Sequence, residues 1–171
     1  KGGVGTTTTA VNVAAALSQG SGTVLFIDLH LSHGDAAVFL GAEPRFSVVD
    51  ALENAHRLDL AFFKGVVART KAGPDLLASS DRAFVPASAT QHVRQLVEFA
   101  ARTYTYTILD VPRSDAAALD ALDVATRILV VANQELATVR NAARIAEALR
   151  HRYGKERVGI IVSRYDSSSE I

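Results

Sequence analysis

Gly2, Gly3 and Gly5, followed by four consecutive threonines from Thr6 to Thr9, open the chain in the stretch KGGVGTTTTA. Glycines reach backbone conformations closed to other residues and let successive N–H groups approach an anion. A helix starting at such a loop adds its N-terminal dipole, so the pattern is suited to phosphate. Thr7 stands where these loops place the hydroxyl that binds magnesium. The residue before it is normally a lysine, whose full charge reaches the β- and γ-phosphates. Here it is Thr6, which offers a neutral hydrogen bond about half as strong as a charge-assisted one. Two acids complete the set. Asp28 ends the apolar run TVLFID and Asp110 lies within YTILDV. A carboxylate at the end of a buried strand, opposite a glycine-rich loop, holds Mg²⁺ directly or through water. Glycines alone fit a plain turn before a helix equally well; the two strand-terminal acids turn the reading towards a nucleotide.

Other clusters give weaker signals. His30 and His33 (HLSH) could form a metal pair but lack a clear third ligand in the sequence. Asp115, Asp120 and Asp123 read as helix-start and surface acids rather than a catalytic set. Arg140 and Arg144 share a helical face, and Arg150, His151 and Arg152 close the same helix. Cations at a helix C-terminus are favourable in themselves, so this basic group reads as a solvated face before it reads as a DNA patch. No Ser-His-Asp or Cys-His nucleophile is recognisable.

The elements that must position these residues alternate in kind. TTTAVNVAAALS (7–18) predicts an Ala-rich helix and TVLFID (23–28) a short buried strand. A short helix follows over 47–54, a strand over 74–78, a helix over 89–103 with Val93, Leu96, Val97 and Ala100 on one face, and a strand over 106–111. Helix 115–124, strand 127–132, long helix 135–152 and strand 157–162 complete the series, while 57–81 is the least regular stretch and reads as surface elaboration. Alternation of this kind predicts an α/β fold, a mostly parallel twisted sheet with helices on both faces. Sites in such sheets lie at the carboxyl ends of strands, which selects 1–8, 28–35, 110–115, 133–135 and 163–166.

Composition narrows the function. The 171 residues suffice for one domain with a sizeable core. No apolar run approaches the about 20 residues that span a bilayer. Lys+Arg and Asp+Glu are equal at 18 each, which gives no support to a polyanion as the main partner. Cysteine is absent, excluding disulfides, thiolate zinc sites and cysteine-held clusters within the chain and suiting a cytosolic protein. Methionine is absent too, and a phosphate loop normally follows a strand. The expectation is a single P-loop domain over 1–171, trimmed at both ends, with its first strand lying before Lys1.

KGGVG-T-TTTAVNVAAAL resembles the deviant Walker A loop of the ParA/MinD ATPases, usually KGGVGKTT. Within that group the chain resembles the CpaE/TadZ proteins of type IV (Tad/Flp) pilus assembly. FIDLHLSHGDAAVFLGAEPRFSVVDAL, PDLLASSDR, YTYTILDVPR and VSRYDSSSEI match their successive segments in order. The resemblance implies a P-loop NTPase fold, ATP and Mg²⁺ as cofactors, and a homodimer in which Lys1 reaches the partner's nucleotide. It assigns nucleotide contacts to Lys1, Gly2, Gly3, Val4, Gly5, Thr6, Thr7, Thr8, Ser163 and Arg164, and metal contacts to Thr7, Asp28 and Asp110, with Asp28 the one candidate for a catalytic role. It implies a cytoplasmic protein recruited to a cell pole, pilus or secretion components as partners, and a receiver-like domain before the loop in many members.

Three departures fall on that site. Thr6 replaces the loop lysine. His30 replaces the second acid of the usual Asp-x-Asp, which positions the attacking water. Ser163 replaces an asparagine that contacts the adenine. A serine lacks the paired donor and acceptor of an amide. The expectation is nucleotide binding with slow or absent hydrolysis. The alternatives are a cycling ParA/MinD-type ATPase and an interaction module that has lost its nucleotide.

Overall fold

The structure, a computed structural model, describes residues 3–82, 85, 87–112 and 116–168. These divide into two compact units, one of residues 10–124 and one of residues up to 9 together with 125 onward.

The larger unit is built around a four-stranded sheet of order β2-β3-β1-β4, with β1 at Val24–Asp28, β2 at Ala68–Arg69, β3 at Asp75–Leu77 and β4 at Tyr106–Asp110. β1 runs parallel to both β3 and β4, and the short β2 is antiparallel to β3. Every residue of β1 is buried. Its alternate side chains enter two separate cores, as a strand covered on both faces requires. Leu25 and Ile27 pack with Val48, Val49 and Leu52 of α3 (Val48–Glu53), Phe63 of α4 (Leu60–Val66) and Leu96 of α6 (Val93–Thr103). Val24 and Phe26 pack with Val11 and Ala14 of α1 (Thr6–Leu17) and Ala36 of α2 (Ala36–Phe39). The apolar run TVLFID therefore has the environment its composition implied.

In the smaller unit β5 (Ile128–Asn133) and β6 (Val158–Ser163) pair in parallel, from Ile128 beside Val158 to Asn133 beside Ser163. Helix α8 (Leu136–Tyr153) buries Thr138, Ala142, Ala146 and Tyr153, one stripe down its length. The α/β class with mostly parallel strands is as the sequence indicated.

Two expectations need correction. The stretch 89–103 is not one helix: α5 (Ala87–Thr90) ends in a turn at Gln91–His92, and α6 starts at Val93. The apolar stripe Val93, Leu96, Val97 and Ala100 is buried as expected, but the polar residues before it give the helix no face to bury. The region 57–81 is more than surface elaboration. α4 places Phe63 wholly inside the larger core, against Phe99 at 5.2 Å and Tyr104 at 6.3 Å between ring centroids. α7 (Ala116–Val124) packs beside α6, with Asp123 paired to Arg94 at 2.6 Å, a structural use for that acid.

Candidate functional site

Lys1 and Gly2 lie outside the described residues. From Gly3 onward the loop has the conformation its glycines permit: Gly3 at φ 83° and Gly5 at φ 90° are both in the left-handed region. A side chain at either position would be strained. Helix α1 begins at Thr6, and its first bond runs from the Thr9 N–H to the Gly5 carbonyl at 2.8 Å. The positive end of the helix dipole, reached directly from a glycine-rich turn, is a favourable place for an anion. No acidic side chain sits in that turn.

Ser163, expected near a base, is placed against the loop itself. Its hydroxyl donates to the Val4 carbonyl at 2.5 Å, and its Cβ and Oγ lie within van der Waals reach of a Cβ at Gly5. The end of β6 thus ties down the glycine loop, a role the sequence gave no sign of. Arg164 follows with φ 51°, the one non-glycine residue in the left-handed region among the described residues, and is exposed. At the end of β5, Thr138 Oγ1 bonds the Asn133 carbonyl at 3.0 Å, and Asn133 Nδ2 donates to Glu135 at 2.9 Å.

The second group of predicted residues lies in the larger unit. Asp28 and Asp110 are register partners at the ends of adjacent parallel strands, each 1% exposed. The chain turns out of β1 at Leu29, whose N–H bonds the Asp110 carbonyl at 2.9 Å, and this brings His30 back over both acids. His30 Nδ1–H donates to Asp28 Oδ1 at 3.0 Å and lies 3.7 Å from Asp110 Oδ2. The His30 backbone N–H also donates to Asp28 Oδ1 at 3.0 Å, and the Ala36 N–H reaches Asp28 Oδ2 at 3.4 Å. The hydrogen bond to Asp28 is the main cause that raises the His30 pKa above 6.5. The fields of Asp110, Asp28 and Asp35 add to it, and partial burial opposes it. The imidazolium form is therefore favoured.

Gly34 faces this cluster for a steric reason. A Cβ there would lie 2.1 Å from Asp28 Oδ2. Its backbone is pinned at both polar groups by Ser79, whose hydroxyl accepts from the Gly34 N–H and donates to the Gly34 carbonyl, both at 3.0 Å. Sequence reading passed over Gly34 and Ser79; a glycine in the loop after an acid-ending strand was the available signal.

His33 is exposed and is not part of the cluster, so the proposed histidine pair does not form. The partners of His30 are the two aspartates, one of them 80 positions away in the sequence. Asp28, His30 and Asp110 each offer one ligand atom, all within 4.8 Å of one another. Two buried carboxylates suit a divalent cation, but the imidazole does not suit Mg²⁺, which takes oxygen ligands. In the basic group on α8, Arg140 and Arg144 are exposed. Arg150 donates to the Val158 carbonyl at 3.5 Å, and Arg152 lies 5.2 Å from the Tyr153 ring. That gives part of the group structural work. Among the described residues no helix is long and apolar enough to cross a membrane.

Comparison with known proteins agrees with this arrangement. The AAA_31 family profile, described as an AAA domain, matches residues 1–157. The septum site-determining protein MinD of Synechocystis sp. is 31% identical over 151 residues, covering 85% of this chain and 54% of that protein. MinD of Bacillus subtilis is 28% identical over 173 residues, covering 96% of this chain and 62% of that protein. The chain thus spans little more than half the length of these curated relatives. The crystal structure of a ParA family ATPase from Chlorobium tepidum superposes with a TM-score of 0.89 at 27% identity, over 98% of this chain and 72% of that one. The chain belongs to the AAA_31 family, described as an AAA domain, and is similar over most of its length to MinD and ParA proteins.

Proposed function

We propose that the chain is a nucleotide-binding positioning protein that binds ATP, dimerises around it and hydrolyses it slowly or not at all. The observation that carries this reading is the loop: left-handed Gly3 and Gly5 lead directly into the N-terminus of α1, and Ser163 ties the loop at Val4. Such a cradle binds phosphate through backbone N–H groups and needs no lysine to do so. Turnover is another matter. Thr6 brings no charge to the leaving oxygen, and His30 stands where the family places a water-positioning acid. The resemblance assigns Mg²⁺ to Thr7, Asp28 and Asp110. A nitrogen donor beside that carboxylate pair is a further reason to expect slow turnover.

On the CpaE/TadZ resemblance, the positioned cargo is the type IV (Tad/Flp) pilus assembly apparatus, and the protein acts in the cytoplasm at a cell pole. The relatives named as septum site-determining proteins favour a second reading, positioning of a different cargo by a cycling ATPase.

Calorimetric titration with ATP and Mg²⁺, beside steady-state phosphate release, tests the first reading. ATP binding should be measurable while phosphate release stays near background. Thr6→Lys should tighten ATP binding by about 1.5–3 kcal/mol, the usual worth of a bond to a charged group. Robust hydrolysis abolished by Asp110→Ala would establish the cycling ATPase instead, and absence of ATP binding in both proteins would leave only a nucleotide-free interaction module.

A further inference from the structure

We propose that Asp28, His30 and Asp110 form a binding site for a first-row transition-metal dication, selected against magnesium by the imidazole. Three observations combine. The first is the ligand geometry. A metal with bonds near 2.0–2.2 Å spaces its ligand atoms about 3–3.5 Å apart in octahedral or tetrahedral coordination. His30 Nδ1 lies 3.0 Å from Asp28 Oδ1 and 3.7 Å from Asp110 Oδ2, and the full set of ligand atoms fits within 4.8 Å. Shifts of well under the length of one bond would bring all three onto one ion.

The second is burial. Both carboxylates are 1% exposed, while His30 is half-buried and leaves a route from solvent. Two buried carboxylates side by side repel unless a cation lies between them; without metal the His30 proton supplies that charge, and a dication bound at Nδ1 would replace it. The third is the supporting shell. The Ala36 N–H holds Asp28 Oδ2, and the Leu29 N–H holds the Asp110 strand end. Gly34, pinned to Ser79, leaves the space in which the Asp28 carboxylate sits. Metal ligands oriented in this way by outer contacts are the usual arrangement in built sites.

The chemistry of the donors sets the ion. Carboxylate and water suit magnesium, whereas imidazole suits zinc, cobalt, nickel and iron. One nitrogen with two carboxylate oxygens makes a mixed site for a borderline dication, with the remaining positions open to water or to a phosphate oxygen. The inference uses the carboxylates to which the proposed function assigns its cation, but it stands apart from nucleotide binding and is tested without nucleotide.

The test titrates the full chain, untagged, with Co²⁺, Zn²⁺ and Mg²⁺ separately, by calorimetry and by the visible absorption of bound Co²⁺. First-row ions outbind magnesium at most nitrogen–oxygen sites, so the comparison among variants decides. His30→Asn should weaken Co²⁺ and Zn²⁺ by about tenfold or more and change the Co²⁺ spectrum, since loss of even an outer contact costs about that much. His30→Asp, which replaces the nitrogen by oxygen, should strengthen Mg²⁺ relative to Co²⁺. His33→Asn should match the wild type. Co²⁺ binding of equal strength and spectrum in wild type and His30→Asn overturns the proposal, as does His30→Asp with an unchanged preference. Loss of ATP binding leaves this result untouched, and loss of metal binding leaves the phosphate cradle untouched, so the two readings fail separately.

Discussion

Replacing Gly34 by alanine should disable the cluster without substituting any of its three residues. The new Cβ would lie 2.1 Å from Asp28 Oδ2, 2.6 Å from Cγ and 2.7 Å from Oδ1, distances that real atoms do not keep. Relief has two routes. The loop could lift, but Ser79 holds the Gly34 N–H and carbonyl together. The carboxylate could retreat by about 1 Å, but Asp28 is buried and then loses contact with the Ala36 N–H or His30. Overpacking of this kind costs about 1–3 kcal/mol. One bond to a buried charged group is worth about 1.5–3 kcal/mol. The two overlap, so the expected loss is about 2–4 kcal/mol. In a domain of this size that corresponds to a fall in Tm of about 4–16 °C. Gly65→Ala serves as the control: it lies exposed within α4, its Cβ would meet nothing within 4 Å, and helix propensity should make it stabilising by about 0.5–1 kcal/mol. Thermal and urea unfolding followed by circular dichroism read both. A Gly34→Ala protein as stable as the wild type would refute the steric argument and with it the tight fit around Asp28.

Two further outcomes concern charge. The raised His30 pKa means that the folded state holds this proton more tightly than the unfolded chain. The resulting stability is fully present below pH 6.5 and is lost as pH rises through the folded-state pKa. The urea midpoint of the wild type should therefore fall as pH increases above 6.5, through loss of attraction to Asp28, Asp110 and Asp35, and His30→Asn should remove that component of the slope; parallel profiles would contradict the assignment. On the family resemblance Lys1 screens two triphosphates brought into one interface, so sedimentation should show an ATP-dependent dimer that fails in Lys1→Ala, whereas the same dimer fraction in both proteins with and without ATP would rule the trapped-nucleotide dimer out.

Much of the frame was legible because it depends on local pattern. Apolar runs ending in aspartate marked β1 and β4; β1 is buried on both faces and has no polar alternation to show, whereas β4 is half-buried up to its buried Asp110. The stripe Val93, Leu96, Val97 and Ala100 marked the buried face of α6, and Gly3 and Gly5 marked a loop needing left-handed backbone. The misreadings came where local signal is thin. Thr90, Gln91 and His92 carry no proline or glycine, so nothing announced the break before Val93. A single fully buried phenylalanine, Phe63, made α4 part of the core, although its neighbours Phe62, Lys64 and Gly65 are only half-buried or exposed.

The amino-acid sequence by itself determined the class of the fold, the glycine-rich loop, the two strand-end acids and the absence of the loop lysine, because each is a matter of residue type and short spacing. Tertiary structure alone decided what those residues meet. Parallel pairing of β1 with β4 set Asp28 beside Asp110 across 82 positions of sequence, and register is a property of the assembled sheet. The turn out of β1 then brought His30 onto both acids, converting an apparent histidine pair into a histidine–dicarboxylate cluster. Ser163 went to the carbonyl of Val4, 159 residues away, because β6 ends there. Contacts at such separations follow from how strands pair, and no periodicity or composition within a short window carries that information.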